Sequence, residues 1–289
     1  QPINNLSNFY NQITTNIAGA ERIFEVLDTE PEIQEENGAK ELPPIDGNVK
    51  FENATFAYDS DSENVLENVN FEIKAGETIA LVGATGAGKS TIINLISRFY
   101  DTNSGRVLID GYDIKKVTIE SLRQQMGIMT QENFIFSGTI SENIKYGKLD
   151  ATDQEVVEAA KAVNAHNFIM KLKNGYNTLL SERGGGLSVG QKQLIALART
   201  MISKPKILIL DEATSSIDTK TELLVQKGIE EILKGRTSFV IAHRLSTIKK
   251  ADRIFVIGNR NIIEEGTHKQ LLEKKGVYYT LYRAQFDEV

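Results

Sequence analysis

Apolar residues follow different patterns in different parts of the chain. In the first 28 residues they recur alternately every three and four positions. The members of this stripe are Ile3, Leu6, Tyr10, Ile13, Ile17, Ala20, Phe24 and Leu27. A period of 3.5 residues predicts a helix that packs along another helix, although such a helix can also lie on its own domain. The opposite face carries Asn, Gln, Thr and Glu, so we do not expect this helix to lie in lipid.

Aliphatic runs follow at residues 78–82 and 206–210, and residues 237–242 also have the pattern of a strand. Because these runs are apolar on both faces, they predict strands of a parallel sheet that is covered by helices on each side. Residues 49–57 also have the pattern of a strand. Helical spacing predicts a helical lobe over residues 153–172, a helix over 191–202, and closing helices over 267–275 and 277–286.

A glycine-rich segment joins the first of these strands to a predicted helix. Residues 83–90 read G-A-T-G-A-G-K-S, between the predicted strand 78–82 and the predicted helix 91–96. This order indicates a phosphate-binding loop, in which backbone N–H groups and the helix dipole face an anion. We expect Lys89 to reach the β- and γ-phosphates of a nucleoside triphosphate and the Ser90 hydroxyl to bind Mg²⁺. The predicted nucleotide-binding residues here are Gly83, Ala84, Thr85, Gly86, Ala87, Gly88, Lys89, Ser90 and Thr91.

Two carboxylates follow the predicted strand 206–210. Ligands of parallel α/β sheets bind beyond the carboxyl ends of the strands, where we expect Asp211 and Glu212. Asp211 fits a carboxylate associated with the metal ion, and Glu212 fits a base that orients or deprotonates the attacking water. Acidic residues at a strand end are often only solvated, but beside a phosphate loop the catalytic interpretation is favoured.

A third motif, Leu187-Ser188-Val189-Gly190-Gln191, ends 20 residues before Asp211. Ser188 and Gln191 form an S-x-x-Q capping box at the start of a predicted helix. The phosphate loop, this pentapeptide and the acidic strand, in this order, resemble the nucleotide-binding domain of ATP-binding cassette (ABC) proteins. The pentapeptide is similar to the family signature, usually LSGGQ. The resemblance implies that Ser188, Gly190 and Gln191 bind the γ-phosphate of an ATP held by the partner subunit.

The resemblance covers residues 47–286 and implies further site residues. Tyr58 matches the aromatic residue that stacks on adenine, and Gln131 matches the glutamine that contacts Mg²⁺ and water. Asp218 closes a segment, residues 215–218, that matches the loop crossing the dimer interface. His243 matches the histidine that faces the γ-phosphate. Taken alone, Tyr58 would be a packing residue, Gln131 a surface residue and His243 a structural one.

The same resemblance implies a fold class and a domain organisation. The expected fold is α/β: a P-loop NTPase core with a mainly parallel sheet, an antiparallel β subdomain and an inserted helical subdomain, preceded by a long N-terminal helix. Residues 1–28 resemble the cytoplasmic end of the last membrane helix of ABC exporters. Residues 29–46, rich in Glu and Pro, have the character of a linker. Residues 47–289 would be the nucleotide-binding domain, with its helical subdomain at about 133–195.

Composition narrows the class of protein. The formal net charge is −6 and the chain has no cysteine, which excludes disulfides and thiolate metal sites and disfavours non-specific nucleic-acid binding. No apolar run approaches the ~18–20 residues of a membrane helix, and no signal peptide is recognisable. Because the chain begins with Gln1, we expect a soluble fragment of a longer polypeptide. Its expected place is the cytoplasmic face of a cell membrane, within an integral membrane transporter.

These features together predict the ATP-hydrolysing domain of an ABC exporter, with ATP and Mg²⁺ as cofactors. The expected partners are a second nucleotide-binding domain, which would sandwich two ATP molecules with this one, and the transmembrane domains of the transporter. Val189 replaces the usual glycine of the signature, and a β-branched side chain can obstruct the approach of phosphate. A heterodimer in which Val189 faces the partner's weaker site is slightly favoured over a homodimer that tolerates the substitution.

Two other functions remain open at this level. A soluble ABC ATPase acting on nucleic acid or ribosomes would share the core, but the very long coiled-coil insertion, second cassette or basic segments of such proteins are absent. A regulatory module that binds ATP without hydrolysing it is disfavoured because Glu212 and His243 are both present.

Overall fold

The structure, a computed structural model, describes residues 1–59, 62–130, 134–211, 218–242 and 244–286. The chain divides into two compact units, residues 1–34 and 35–289. The first unit is dominated by one helix, α1 (Pro2–Leu27), in which no residue is buried. Its apolar stripe lies open to solvent, from Ile3 (79% exposed) to Leu27 (70% exposed). The predicted long N-terminal helix is therefore confirmed, whereas the helix that would cover its stripe stays a prediction.

The second unit alternates strands and helices. Its described strands are β1 (Val49–Phe56), β2 (Leu66–Ile73), β3 (Thr78–Val82), β4 (Ser104–Ile109), β5 (Tyr112–Asp113), β6 (Met126–Met129), β7 (Gly138–Thr139), β8 (Leu179–Leu180), β9 (Ile207–Asp211), β10 (Thr237–Ile241), β11 (Arg253–Gly258) and β12 (Asn261–Gly266). Its described α-helices are α2 (Lys89–Ile96), α3 (Ile119–Arg123), α4 (Ile140–Lys145), α5 (Asp153–Ala162), α6 (His166–Ile169), α7 (Val189–Ile202), α8 (Thr219–Leu233), α9 (Leu245–Lys250), α10 (His268–Lys274) and α11 (Val277–Phe286).

A six-stranded sheet in the order β12-β11-β3-β10-β9-β6 forms the centre of this unit. The strands from β11 to β6 are parallel to their neighbours, and β12 is antiparallel at the edge. Successive side chains of a strand point to opposite faces, so each strand supplies two cores. Ala80 and Val82 of β3 face a core shared with helices α4–α8, whereas Ile79 and Leu81 face a core shared with α2 and a second sheet.

The second sheet is antiparallel, in the order β2-β1-β4-β5. Aromatic side chains join it to the central sheet: Phe51 stacks on Phe71 at 4.3 Å between ring centroids, and Phe71 meets Phe255 of β11 edge-on at 5.3 Å. The predicted α/β fold is confirmed, with its mainly parallel sheet, its antiparallel sheet and helices inserted between β6 and β9.

The predicted helical stretch 153–172 is two helices, α5 and α6. Asn164 lies between them with φ of 63°, in the left-handed region that asparagine adopts more easily than most residues. The chain therefore turns after α5, and Ala165 and Ile169 enter the core from a new direction. Among the described helices, none is long and apolar enough to cross a bilayer. The predicted domain boundaries stay predictions.

Candidate functional site

The loop after β3 is shaped by glycines. A Cβ at Gly83 would lie 2.5 Å from the carbonyl oxygen of Ile257, so only glycine fits where the loop leaves the strand. Gly88 is the N-cap of α2 and has a left-handed backbone with φ of 106°. No side chain hydrogen-bonds to this cap. The N–H groups of the first turn of α2 therefore have no side-chain cap and are available for an anion.

Lys89 folds back over this loop. Its Nζ donates hydrogen bonds of 2.8 Å to the carbonyl oxygens of Gly83 and of Ala84. Burial lowers the pKa of the Lys89 ammonium, and the negative charge of Asp211 opposes that effect. The ammonium is thus held beside the open end of α2 and within the field of the carboxylate at the end of β9.

The strand order places several predicted site residues at one edge of the sheet. Ile241 of β10 lies opposite both Leu81 of β3 and Asp211 of β9. Met129 at the end of β6 lies opposite Leu210. The carboxyl ends of these four strands therefore lie at the same edge as the phosphate loop, which is where α/β sheets bind their ligands.

Three of the predicted catalytic residues follow these strand ends in the sequence. Gln131, Glu212 and His243 follow β6, β9 and β10 respectively, and all three lie outside the described residues. Residues 215–217 of the predicted interface loop lie outside them as well. The described part of the edge thus contains the phosphate loop and Asp211, and the roles of the three residues stay predictions.

Tyr58 lies just after β1 and close to α2. Its hydroxyl is 3.0 Å from the hydroxyl of Thr91, so two predicted nucleotide-binding residues are hydrogen-bonded to each other. Phe56 and Tyr100 meet the Tyr58 ring edge-on at 4.9 and 5.0 Å. The ring is still 41% exposed, which leaves it available for stacking.

The signature pentapeptide forms the start of α7. Ser188 is the N-cap, and its Oγ accepts the N–H of Gln191 at 3.3 Å, while Gln191 Oε1 accepts the N–H of Ser188 at 3.0 Å. The predicted capping box is therefore present, and the helix begins at Val189, two residues before the predicted start at 191. Gly190 is buried, whereas the Val189 side chain is 46% exposed.

Asp218 has a structural role besides the one that the family resemblance implies. It is the N-cap of α8, and its carboxylate accepts the N–H of Thr221 at 3.0 Å. These hydrogen bonds lower the pKa of the Asp218 carboxyl, so the group is ionised at neutral pH. The D-x-x-T pattern of residues 218–221 was a local signal for this cap.

The residues at the sheet edge are of the types that bind Mg²⁺ in nucleotide sites. Mg²⁺ there is usually held by one or two carboxylates, a hydroxyl, water and the phosphates of the substrate. The Ser90 hydroxyl is exposed in the first turn of α2, the helix that follows β3. Asp211 ends β9, and β10 is the one strand between β3 and β9. Within the described ranges, no cluster of three His, Cys, Asp or Glu side chains could hold a metal by itself. These residues therefore fit a Mg²⁺ site that the phosphates of the nucleotide would complete.

Comparison with known proteins agrees with this geometry. Residues 66–215, more than half of the chain, match the family model described as "ABC transporter". The uncharacterised ABC transporter ATP-binding protein YfiC of Bacillus subtilis (strain 168) is 50% identical over 288 residues, which are 100% of this chain and 48% of that protein. The ATP-dependent lipid A-core flippase of Syntrophus aciditrophicus (strain SB) is 48% identical, with the same coverage of both proteins.

A solved structure with the same fold is a bacterial Atm1-family ABC exporter with ATP bound. It superimposes with a TM-score of 0.86 at 41% sequence identity, over 96% of this chain and 48% of that chain. The present chain thus spans about half the length of the relatives it matches. The family match, the strand order and the phosphate loop lead to one conclusion: the chain belongs to the ABC transporter family and contains its ATPase domain.

Proposed function

We propose that this chain supplies the energy for export across a membrane by hydrolysing ATP at the cytoplasmic face, joined to transmembrane domains. Three observations support this proposal. Relatives of about twice the length are named as transporters, among them a fatty acid ABC transporter ATP-binding/permease protein of Mycobacterium bovis that is 48% identical over 98% of this chain. The apolar stripe of α1 is open to solvent, as expected of a helix that packs on others. The net charge of −6 is unsuited to nucleic acid.

In this proposal the phosphate loop binds the nucleotide of its own chain. The residues from Gly83 to Thr91 surround the phosphates, and Tyr58 stacks on the adenine. The observation that carries the proposal is the position of the Lys89 ammonium, which two carbonyl oxygens hold at the uncapped start of α2. Because a half-buried cation is stabilised by a negative partner, this ammonium gains most when phosphate oxygens arrive.

Hydrolysis is assigned to the sheet edge. Ser90, Asp211 and Gln131 would hold Mg²⁺, which when bound neutralises charge developing on the phosphates. Glu212 would orient or deprotonate the attacking water. His243 would face the γ-phosphate from the end of β10. The roles of Gln131 and His243 are those that the family resemblance implies, and the order of the strands supports placing them at this edge.

A second nucleotide-binding domain completes each site. We assign Ser188, Gly190, Gln191 and Asp218 to the ATP held by the partner, and their counterparts in the partner to the ATP held by this chain. The partner is a second copy or a related chain. The exposed Val189 at the first position of α7 favours a related chain, since a β-branched side chain at a helix start can obstruct the approach of phosphate.

The test is Glu212→Gln, with Glu158→Gln on the surface of α5 as the control. The Glu212 variant should bind ATP normally, lose nearly all turnover and accumulate as a closed dimer in size-exclusion chromatography with ATP. The control should behave as the unmodified chain. Rapid steady hydrolysis by Glu212→Gln contradicts the assigned role.

Coupling to transport is tested in the gene, where membrane-spanning segments of ~20 apolar residues should be encoded before residue 1.

A further inference from the structure

Arg199, in the last turn of α7, donates hydrogen bonds from all three nitrogens of its guanidinium group. Its Nε donates to the carbonyl oxygen of Asn143 at 2.8 Å, and its Nη1 donates to the carbonyl oxygen of Phe134 at 2.9 Å. Its Nη2 donates to Asn143 Oδ1 at 3.0 Å. The guanidinium therefore bonds to two separate points of the segment 134–147, which contains β7 and α4. A planar group with fixed donors holds such acceptors in one relative geometry.

The acceptor side of this network is rigid as well. Asn143 is buried, and its Nδ2 donates to the carbonyl oxygens of Phe136 and Thr139 at 2.9 and 3.1 Å. Its Oδ1 also accepts the N–H of Phe136 at 3.0 Å. The hydrogen bonds of the Asn143 side chain thus hold the loop before α4 in place beside Arg199. Fully satisfied buried networks of this kind favour a single arrangement.

Aromatic rings cover the guanidinium. The Cζ of Arg199 lies 5.2 Å from the centre of the Phe136 ring and 5.7 Å from that of Tyr146. Burial lowers the pKa of Arg199, which nevertheless remains a cation. The backbones are in direct contact as well, because a Cβ at Gly147 would overlap the carbonyl oxygen of Arg199. Helix α7 and the segment 134–147 are therefore packed to move together.

The location of these contacts suggests a role in the reaction. Phe134 follows Gln131, a proposed ligand of the chain's own site, by three positions. The other end of α7 carries Ser188, which is proposed to act on the partner's nucleotide. A helix transmits a displacement along its length, and Arg199 lies about three turns from Ser188. Arg199 thus connects the helix that begins beside Ser188 to the described segment that begins three positions after Gln131.

We propose that Arg199 is a positioning residue that fixes the signature end of α7 relative to the segment following Gln131, and so aligns two composite sites for hydrolysis. This inference rests on the proposed dimer of nucleotide-binding domains. Arg199 touches neither nucleotide in this account. Its loss should therefore lower kcat and weaken closure of the dimer, while ATP binding to the phosphate loop stays unchanged.

The experiment compares Arg199→Lys with Arg236→Lys in the same chain. Lysine keeps the charge but has a single ammonium, which cannot reach both carbonyl groups in the forked geometry. Arg236 is a matched control because burial lowers its pKa too and it also donates to backbone carbonyls, those of Pro205 and Ile232. These two hydrogen bonds tie α8 to the residues just before β9, and Nη2 also lies 3.6 Å from the Sδ of Met201 at the end of α7. None of the described contacts of Arg236 involves the segment 134–147. Thermal unfolding shows how far each variant is destabilised.

We expect Arg199→Lys to lower kcat by roughly 10- to 100-fold, as misplacement of catalytic groups by about 1 Å does. The protein concentration needed for half-maximal turnover should rise, and the affinity for a fluorescent ATP analogue should stay within about twofold. Arg236→Lys should show a similar loss of thermal stability with kcat unchanged. If the two variants have the same kcat, or if Arg199→Lys loses ATP affinity in proportion to kcat, the positioning role is wrong.

Two further variants extend the test, and the first of them keeps it valid if Arg199→Lys does not fold. Tyr146→Leu removes an exposed ring from the guanidinium and leaves the hydrogen bonds, so it should lower kcat by roughly two- to threefold without changing ATP affinity. Unchanged kcat in that variant contradicts the inference. Asn143→Ala combined with Arg199→Lys should be non-additive in kcat, since both act on one network. Additive effects would overturn it.

The wild-type chain separates this inference from the function on which it rests. If wild-type turnover per molecule does not depend on protein concentration, the proposed dimer itself fails. If wild-type turnover is cooperative and Arg199→Lys behaves as Arg236→Lys, only the positioning role fails.

Discussion

The starts of two helices, α2 and α7, differ in how their backbone N–H groups are capped. Each presents backbone N–H groups that suit an anion. At α2 the N-cap is Gly88, which offers no side chain, and the N–H groups remain for a ligand. At α7 the N-cap Ser188 and Gln191 bond to each other's backbone, so part of the hydrogen-bonding capacity is already used.

This difference indicates that the two helix starts act at different steps, which are ATP binding by a single chain and closure of the dimer. The start of α2 has the Lys89 ammonium beside it, so a phosphate there meets a cation and backbone N–H groups that no side chain caps. The start of α7 is stable without a ligand, and a phosphate there adds less. We infer that the phosphate loop sets the affinity of a single chain for ATP, and that the signature acts when two chains close.

The largest effect is expected for Lys89→Ala. Removing a charged donor to the phosphates should weaken ATP binding roughly 10- to 100-fold, in line with the free energy of charged hydrogen bonds. The measurement is titration with a fluorescent ATP analogue. Lys192→Ala, in the first turns of α7, is the control and should leave the affinity of the single chain unchanged. Equal affinities for wild type and Lys89→Ala would remove the distinction between the two helix starts.

A somewhat smaller effect is expected for Gly83→Ala. The added Cβ would lie 2.5 Å from the carbonyl oxygen of Ile257, so the loop or β11 must move. Such overpacking should cost about 1–3 kcal/mol in the free energy of unfolding, measured with urea, and should weaken ATP binding as well.

Gly86→Ala is the matched control for that change. Its Cβ would meet nothing within 4 Å, although the φ of +79° disfavours alanine. We expect a cost of about 1 kcal/mol, from the backbone alone. If Gly86→Ala lowered the free energy of unfolding as much as Gly83→Ala or more, close packing would not be what shapes the loop.

Ser188→Ala should have a moderate effect on stability and little effect on ATP binding by the single chain. Loss of an N-cap costs about 1 kcal/mol, which chemical denaturation detects. Turnover at low protein concentration should fall further than stability explains, because the variant also loses a proposed contact to the partner's nucleotide. A fall in single-chain affinity that matches Lys89→Ala would contradict the comparison.

The smallest effect is expected for Val189→Gly. The side chain is exposed, so the free energy of unfolding should change by less than about 1 kcal/mol. If Val189 obstructs the phosphate, cooperative ATPase activity of the chain alone should rise by roughly two- to threefold. Unchanged activity would remove the support for a heterodimer with one weaker site.

The parts of this molecule that were predictable from sequence are those with local signals. The start of α7 follows from the capping box of Ser188 and Gln191, and the limits of β3 match the predicted strand at residues 78–82. The break at Asn164 was missed because a single left-handed residue hardly changes the apolar period. Contacts such as Tyr58 with Thr91 and Arg199 with Asn143 join residues 33 and 56 positions apart, and no local pattern reports them.

The site was predictable to the extent that strand ends determine it. Asp211 and the phosphate loop lie at one sheet edge because β3, β10 and β9 are parallel and adjacent, an order that the chain sequence alone does not specify. The family resemblance supplied the roles of Gln131, Glu212 and His243, which stay predictions.

The most direct measurement of the central claim is the ATPase rate per molecule as a function of protein concentration, with the oligomeric state followed by light scattering. The account predicts a rate that rises with concentration and reaches a plateau as ATP-bound dimers form. A constant rate per molecule in a chain that remains monomeric throughout would contradict it.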